Sequence, residues 1–342
     1  MTQTRSLNAF ALALVVLASI AIVARNLPAR APVSLLNVSY DPTRELYERL
    51  NPLFVSAYAA SAGTELEVRQ AHGGSSRQAR SVISGELEAD VVTLALPSDV
   101  SALEKRGLVA PGWAARLPNQ SRPYYSTIVF VVRAGNPRQV RDWPDLLQTG
   151  IEIITPDPRT SGNGKLSALA AWGAVLERGG NEADAKAYLK ALYEHAPFLE
   201  SGARGAATAF TVEKLGDVHL TWENEALREI AESKGALELV YPPLSIQAEP
   251  AVAWVDANVA KHHSEASARA YLEFLFSDAA QEIIAQSGYR PFNAEVLARH
   301  AARFPQLTLF SIVDLAKDWD DAAQKFFALD GIIETVSQPK PR

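Results

Sequence analysis

Apolar and polar positions along the 342-residue chain follow two alternating periods from about residue 33 onward. "VSLLNVSY" (33–40), "ELEVRQA" (65–71) and "ADVVTLAL" (89–96) read as strands. The last is apolar on both faces, as a strand inside a parallel sheet must be. Between them, "PTRELYERLNPLFVSAYAA" (42–60) and "SRQARSVISGE" (76–86) place apolar residues at helical spacing. Pro42 stands at the opening position, where a missing N–H does no harm. Further on come a longer strand closed by Gly-Asn-Pro (126–137), a helix in "RDWPDLL", and a buried strand in "GIEIITP" (150–156). Helices follow at 165–178 and 181–196, then strand, short turn and helix in "DVHLTWENEALREIAE" (217–232). "LELVYPP" and "AEPAVAWVDANV" are strands, and "SEASARAYLEFLFSDAAQEIIAQSG" reads as one amphipathic helix. This alternation predicts the α/β class.

The strands at 126–133 and 249–256 flank a middle block and are read as crossovers between two lobes. One lobe takes residues 34–127 and 250–310, the other 128–249, and 311–342 form a C-terminal helical extension. Two lobes joined by two crossover strands make a hinge, with the ligand cleft between them.

Residues 1–33 differ from the rest. Thr4-Arg5 precede an apolar run from Ala9 to Val23, and Arg25 follows. A short basic start with an apolar run of this length is an export signal. A retained membrane anchor is the alternative, but the run falls short of the ~20 residues a span requires. Net charge is −6 without a long basic run, so the electrostatic footprint of a nucleic-acid partner is missing. There is no cysteine, which removes disulfides, thiolate metal sites and a lipoprotein anchor together. The six histidines are scattered, and only His262-His263 are adjacent. No metal-ligand spacing such as H-E-x-x-H occurs, so neither metal nor cofactor is expected.

One feature repeats four times: a strand ends, a small polar or Gly-rich turn follows, and a helix begins. The turns are "SYDPT" (39–43), "HGGSS" (72–76), "TSGNG" (160–164) and "SGARG" (201–205), two in each lobe. A helix start offers unpaired N–H groups and about half a positive charge, so four of them facing one cleft would cage an anion. Each turn taken alone is also an ordinary helix cap. Gly164-Lys165 invites a phosphate-loop reading, but Arg159 and Leu166 stand where that loop requires Gly and Ser or Thr. Trp222 ends a buried strand, and its indole N–H donates without accepting, which suits an ionised ligand. A core tryptophan is the alternative. Glu223 and Glu225 point to different faces, which favours solvation or hinge salt bridges over a catalytic pair. Arg204 either touches the ligand or braces its loop. His72 could serve Ser75 or Ser76 as a base, but no G-x-S-x-G elbow surrounds them, and a hydrolase is disfavoured.

"LLNVSYDPTRELYERLN", "HGGSSRQARSVISGELEADVVTLAL", "ITPDPRTSGNGKLSALAAWG", "SGARGA" and "WENEA" resemble the periplasmic sulfate-binding proteins of ABC importers. The resemblance runs from about Leu35 to Phe310. It implies a two-lobed, hinged periplasmic-binding-protein fold of type II. It also implies a monomeric, non-enzymatic receptor in the periplasm that carries sulfate, or thiosulfate, to a membrane permease. Receptors for molybdate or phosphate are the alternative in the same class. Carried over, the family's contacts fall on the N–H of Asp41, the hydroxyl of Ser75, and the N–H groups of Ser161, Gly162, Asn163 and Ala203, with the indole of Trp222. The family commonly has Gly at the place of Asn163, and the expectation is that Asn tolerates a left-handed backbone there. Gly164-Lys165-Leu166 replace the family's aromatic and arginine, which bears on the choice between sulfate and thiosulfate.

Overall fold

The computed structural model describes residues 33–337; the proposed export signal lies outside them. β1 (Val33–Tyr40) turns through one 3-10 turn, Asp41–Thr43, into α1 (Arg44–Ala62). β2 (Leu66–Gly73), α2 (Ser75–Ile83), β3 (Val91–Leu94) and α3 (Pro97–Glu104) follow. The chain then passes β4 (Tyr124–Tyr125) to β5 (Ile128–Arg133), β6 (Ile153–Pro156), α4 (Gly162–Leu176) and α5 (Glu182–Glu194). Next come β7 (Leu199–Glu200), α6 (Ala203–Thr211), β8 (Val218–Trp222), α7 (Glu223–Glu232), β9 (Leu237–Val240) and β10 (Leu244–Ile246). The remainder is β11 (Ala251–Trp254), α8 (Asp256–His262), α9 (Glu265–Phe274), α10 (Asp278–Gln286), β12 (Arg290–Pro291), α11 (Ala294–Arg299), β13 (Thr308–Phe310), α12 (Trp319–Phe327) and α13 (Ile332–Val336).

Two sheets organise this α/β chain. One has four strands in the order β11-β3-β1-β2, with β1 and β3 parallel and β11 antiparallel to β3. The other has five in the order β7-β6-β8-β5-β9, with β6 parallel to β7 and β8 and β5 antiparallel to its neighbours. The crossovers run side by side: Ser126 and Ala248 form a lone antiparallel bridge between the sheets. The strand expected from 126 therefore begins at Ile128, after the crossing.

Three local expectations need correction. The single long helix over 264–288 is two, because Ser277 caps a new start, its Oγ accepting from Ala280 N at 3.3 Å. "RDWPDLL" is a 3-10 turn, Trp143–Leu147, held by a reciprocal cap between Asp142 and Asp145. The C-terminal segment is helical but is no appendage. Phe310, Leu315, Trp319, Phe326, Ile333 and Val336 belong to the same core as Trp143, Trp172 and Trp222. Trp172 meets Phe326 edge-on at 5.1 Å, and β13 pairs in parallel with β10. That covering explains α4, which is apolar on every side and buried from Gly162 to Ala174.

Candidate functional site

All four turns open onto one space. Asp41, Ser75, Ser161, Gly162, Asn163, Ala203 and Trp222 line it together with Tyr40, Pro42, Gly73 and Gly74. The two lobes are closed upon it, and glycine permits the approach. A Cβ on Gly74 would lie 2.6 Å from the Thr160 carbonyl, and one on Gly162 would lie 2.3 Å from Ala95 Cβ.

Which donors face the space follows from which are already engaged. In α4, Lys165 N donates to Ser161 O and Gly164 N to Ser161 Oγ, leaving the amides of Gly162 and Asn163 without helical acceptors. In α6, Ala206 N reaches Gly202 O, leaving Ala203. In α2, Gln78 N reaches Gly74 O, leaving Ser75. The two serines exchange the roles expected of them. Ser75 Oγ donates to Asp99 Oδ2 at 2.6 Å and accepts from Ala95 N at 2.9 Å, so its hydroxyl is occupied and its amide is the free donor. Ser161 N donates to Asp157 O at 2.9 Å, so there the hydroxyl is the free donor. Asn163 needs no left-handed backbone, since it is the second residue of α4 and has no positive φ. Its side chain turns inward, Nδ2 donating to Leu220 O at 3.4 Å.

Trp222 is fully buried, and its indole N–H has no acceptor among the described residues. An unmatched donor of this kind costs about 1–3 kcal/mol, a penalty that a bound acceptor relieves. Its ring stacks at a tilt on Tyr40, 5.4 Å between centroids, which holds the indole across the cleft.

Apart from Asp41, the charged side chains brace the cleft instead of lining it. Asp99 takes hydrogen bonds from Ser75, Ser76 (3.0 Å) and Lys165 (3.2 Å), a buried bridge from α3 to α4. Arg204 forks onto both carboxylate oxygens of Glu45 at 2.9 Å, so it braces its loop. Glu223 is held by Arg290 at 2.6 and 2.7 Å, and Glu225 by Arg228 at 3.0 Å. Both are buried ion-pair partners and not an acid–base pair; Glu223–Arg290 joins the two lobes, as a hinge bridge would, whereas Glu225–Arg228 lies within α7. His72 Nδ1 meets Ser39 Oγ at 2.7 Å and neither Ser75 nor Ser76. Burial, then Arg44, pushes its imidazole down to about 4, so it is neutral. Burial raises the Asp41 carboxyl, opposed by Arg204, Arg44 and Arg77. The Lys165–Asp99 bridge was missed by sequence reasoning; its one local trace is a lysine in an otherwise apolar helix start.

Such a space can hold a small anion with acceptor oxygens. Among the described residues it offers helix-start amides, the Ser161 hydroxyl and the Trp222 indole.

The profile of the bacterial extracellular solute-binding proteins matches residues 36–290. The thiosulfate-binding protein of Pseudomonas aeruginosa is 45% identical over 91% of this chain and 94% of its own length. The sulfate-binding protein of Salmonella typhimurium is 46% identical over 90% of this chain and 93% of its own. Among solved structures, the sulfate-binding protein SubI from Mycobacterium tuberculosis superposes with a TM-score of 0.78 at 33% identity, covering 86% of this chain and 99% of SubI.

Proposed function

The chain belongs to the bacterial extracellular solute-binding proteins, and from that premise we propose that it captures sulfate, with thiosulfate as the related cargo, and delivers it to the permease of an ABC importer. The orphaned indole of Trp222 carries this reading, together with the helix-start amides around the same space. A dianion leaving water loses a large hydration energy unless donors replace its shell. Asp41 N, Ser75 N, Ser161 Oγ, Gly162 N, Asn163 N, Ala203 N and Trp222 Nε1 supply that replacement from both lobes. The helix ends add partial positive charge without a cation in contact.

Sulfate has no proton to donate near neutral pH, so a donor-only shell satisfies it. Phosphate retains at least one proton, which this shell would leave unmatched at about 1–3 kcal/mol or more. The lobes proposed to close are residues 34–127 with 250–310 and residues 128–249, the C-terminal residues moving with the second. Residues 1–33 export the chain, which then acts outside the cytoplasmic membrane as a monomer.

The test is calorimetric titration of ligand-stripped protein with sulfate, thiosulfate, phosphate and molybdate. Saturable one-to-one binding of sulfate or thiosulfate, with phosphate competing only at large excess, is expected. Competition by phosphate at near-equal concentration would reveal an acceptor in the cleft and refute the assignment.

A further inference from the structure

Helix first turns favour acids, because the dipole is positive there. Among the described residues nine helices obey: α3, α5 and α7 to α13 each carry an acidic residue in the first turn. The four helices that open onto the cleft depart from the rule. Arg44 opens α1, Arg77 is third in α2, Lys165 fourth in α4 and Arg204 second in α6. Three of them have no acid in the first turn; α1 carries Glu45, bound to Arg204, and the 3-10 turn that leads into it begins with Asp41. Placing a cation against each of these dipoles opposes helix stability, and among the described residues these are the helices whose starts gather at the cleft.

The four cations divide into two kinds. In the closed arrangement Lys165 and Arg204 are joined across the cleft to Asp99 and Glu45 of the facing lobe. Arg44 and Arg77 are exposed, and neither has a carboxylate within ion-pair distance among the described residues. Both come from the four-stranded lobe, one from each of its cleft-facing helices. The need for them follows from the whole molecule. At −6, the chain as a whole repels a dianion, so capture requires a local field of the opposite sign.

We propose that Arg44 and Arg77 form a capture rim, drawing the dianion into the open cleft without contacting it once bound. They are steering residues: they accelerate arrival and leave the bound state to the neutral donors. The proposal rests on the oxyanion-receptor reading above.

The rim is tested by stopped-flow tryptophan fluorescence with sulfate on the parent, the double variant Arg44→Gln/Arg77→Gln, and Arg44→Lys/Arg77→Lys. Arg269→Gln, on α9, controls for the loss of an exposed positive charge. In the glutamine pair, the association rate should fall about three- to tenfold at ~10 mM ionic strength, the deficit closing near ~0.5 M as the Debye length shrinks. Dissociation should be unchanged, and the lysine pair and the control should match the parent. Equal association rates at every ionic strength overturn the rim. So does a loss residing in dissociation, or a lysine pair as slow as the glutamine pair. A parent that binds no sulfate or thiosulfate refutes the receptor reading itself, and the rim with it.

Discussion

Gly162→Ala separates folding from closure. Residue 162 opens α4 without a positive φ, so alanine strains nothing there and strengthens the helix by up to ~1 kcal/mol. In the closed arrangement, however, the added methyl would lie 2.3 Å from Ala95 Cβ and 3.2 Å from both Leu96 Cδ1 and Ser75 Cβ. Carbon atoms settle about 3.5–4.0 Å apart, so the lobes must part by more than ~1 Å at this point. Hydrogen bonds of ~2.9 Å do not survive that displacement. The anion then keeps the donors of the five-stranded lobe and loses the amides of Asp41 and Ser75. Two bonds to a charged group, at about 1.5–3 kcal/mol each, amount to ~3–6 kcal/mol, or roughly 10²- to 10⁴-fold in Kd. Titration calorimetry and thermal unfolding with and without sulfate read both sides of this. The free variant should melt at or slightly above the parent, while sulfate that saturates the parent no longer raises its Tm. Affinity within threefold of the parent would refute the closed-cleft geometry.

Trp222→Phe should weaken sulfate binding by about 1.5–3 kcal/mol and remove part of the fluorescence change on closure; parent-like affinity would show that the indole is not a ligand. His72 is held down to about 4 in the folded protein, so the unfolded chain takes up its proton first as pH falls below ~6.5. Stability should therefore decline from about pH 6.5 towards 4, a decline that His72→Gln flattens in denaturant midpoints measured against pH. Sulfate affinity should be level between about pH 6 and 8 and rise at lower pH, as the raised Asp41 carboxyl loses its charge beside the dianion. Asp41→Asn keeps the main-chain donor and should abolish that rise in calorimetric titrations.

The cleft was legible in the sequence because its parts are local. Gly73-Gly74, Ser161-Gly162 and Gly202-Ala203 each declare a helix start within a few residues, and all seven expected positions line one space. What stayed hidden depends on distant partners. Whether a serine offers its amide or its hydroxyl is decided at 75 by Asp99, 24 residues away, and no spacing rule reports that. The break at Ser277 was hidden for a different reason, since apolar periodicity continues through it and only the cap interrupts. The C-terminal residues read as an extension because their amphipathic pattern names no partner. The surface they cover, around Trp172 and Leu169, lies more than a hundred residues earlier.

That last placement determines when the molecule can become itself. A core that contains both Val140 and Val336 cannot be sealed by a partial chain, whichever end emerges first. Until the residues from Phe310 onward are in place, the face of α4 that holds Trp172 and Gly173 stays uncovered. A fragment stopped near residue 310 would thus lack more than a tail: its second half would have a wall missing.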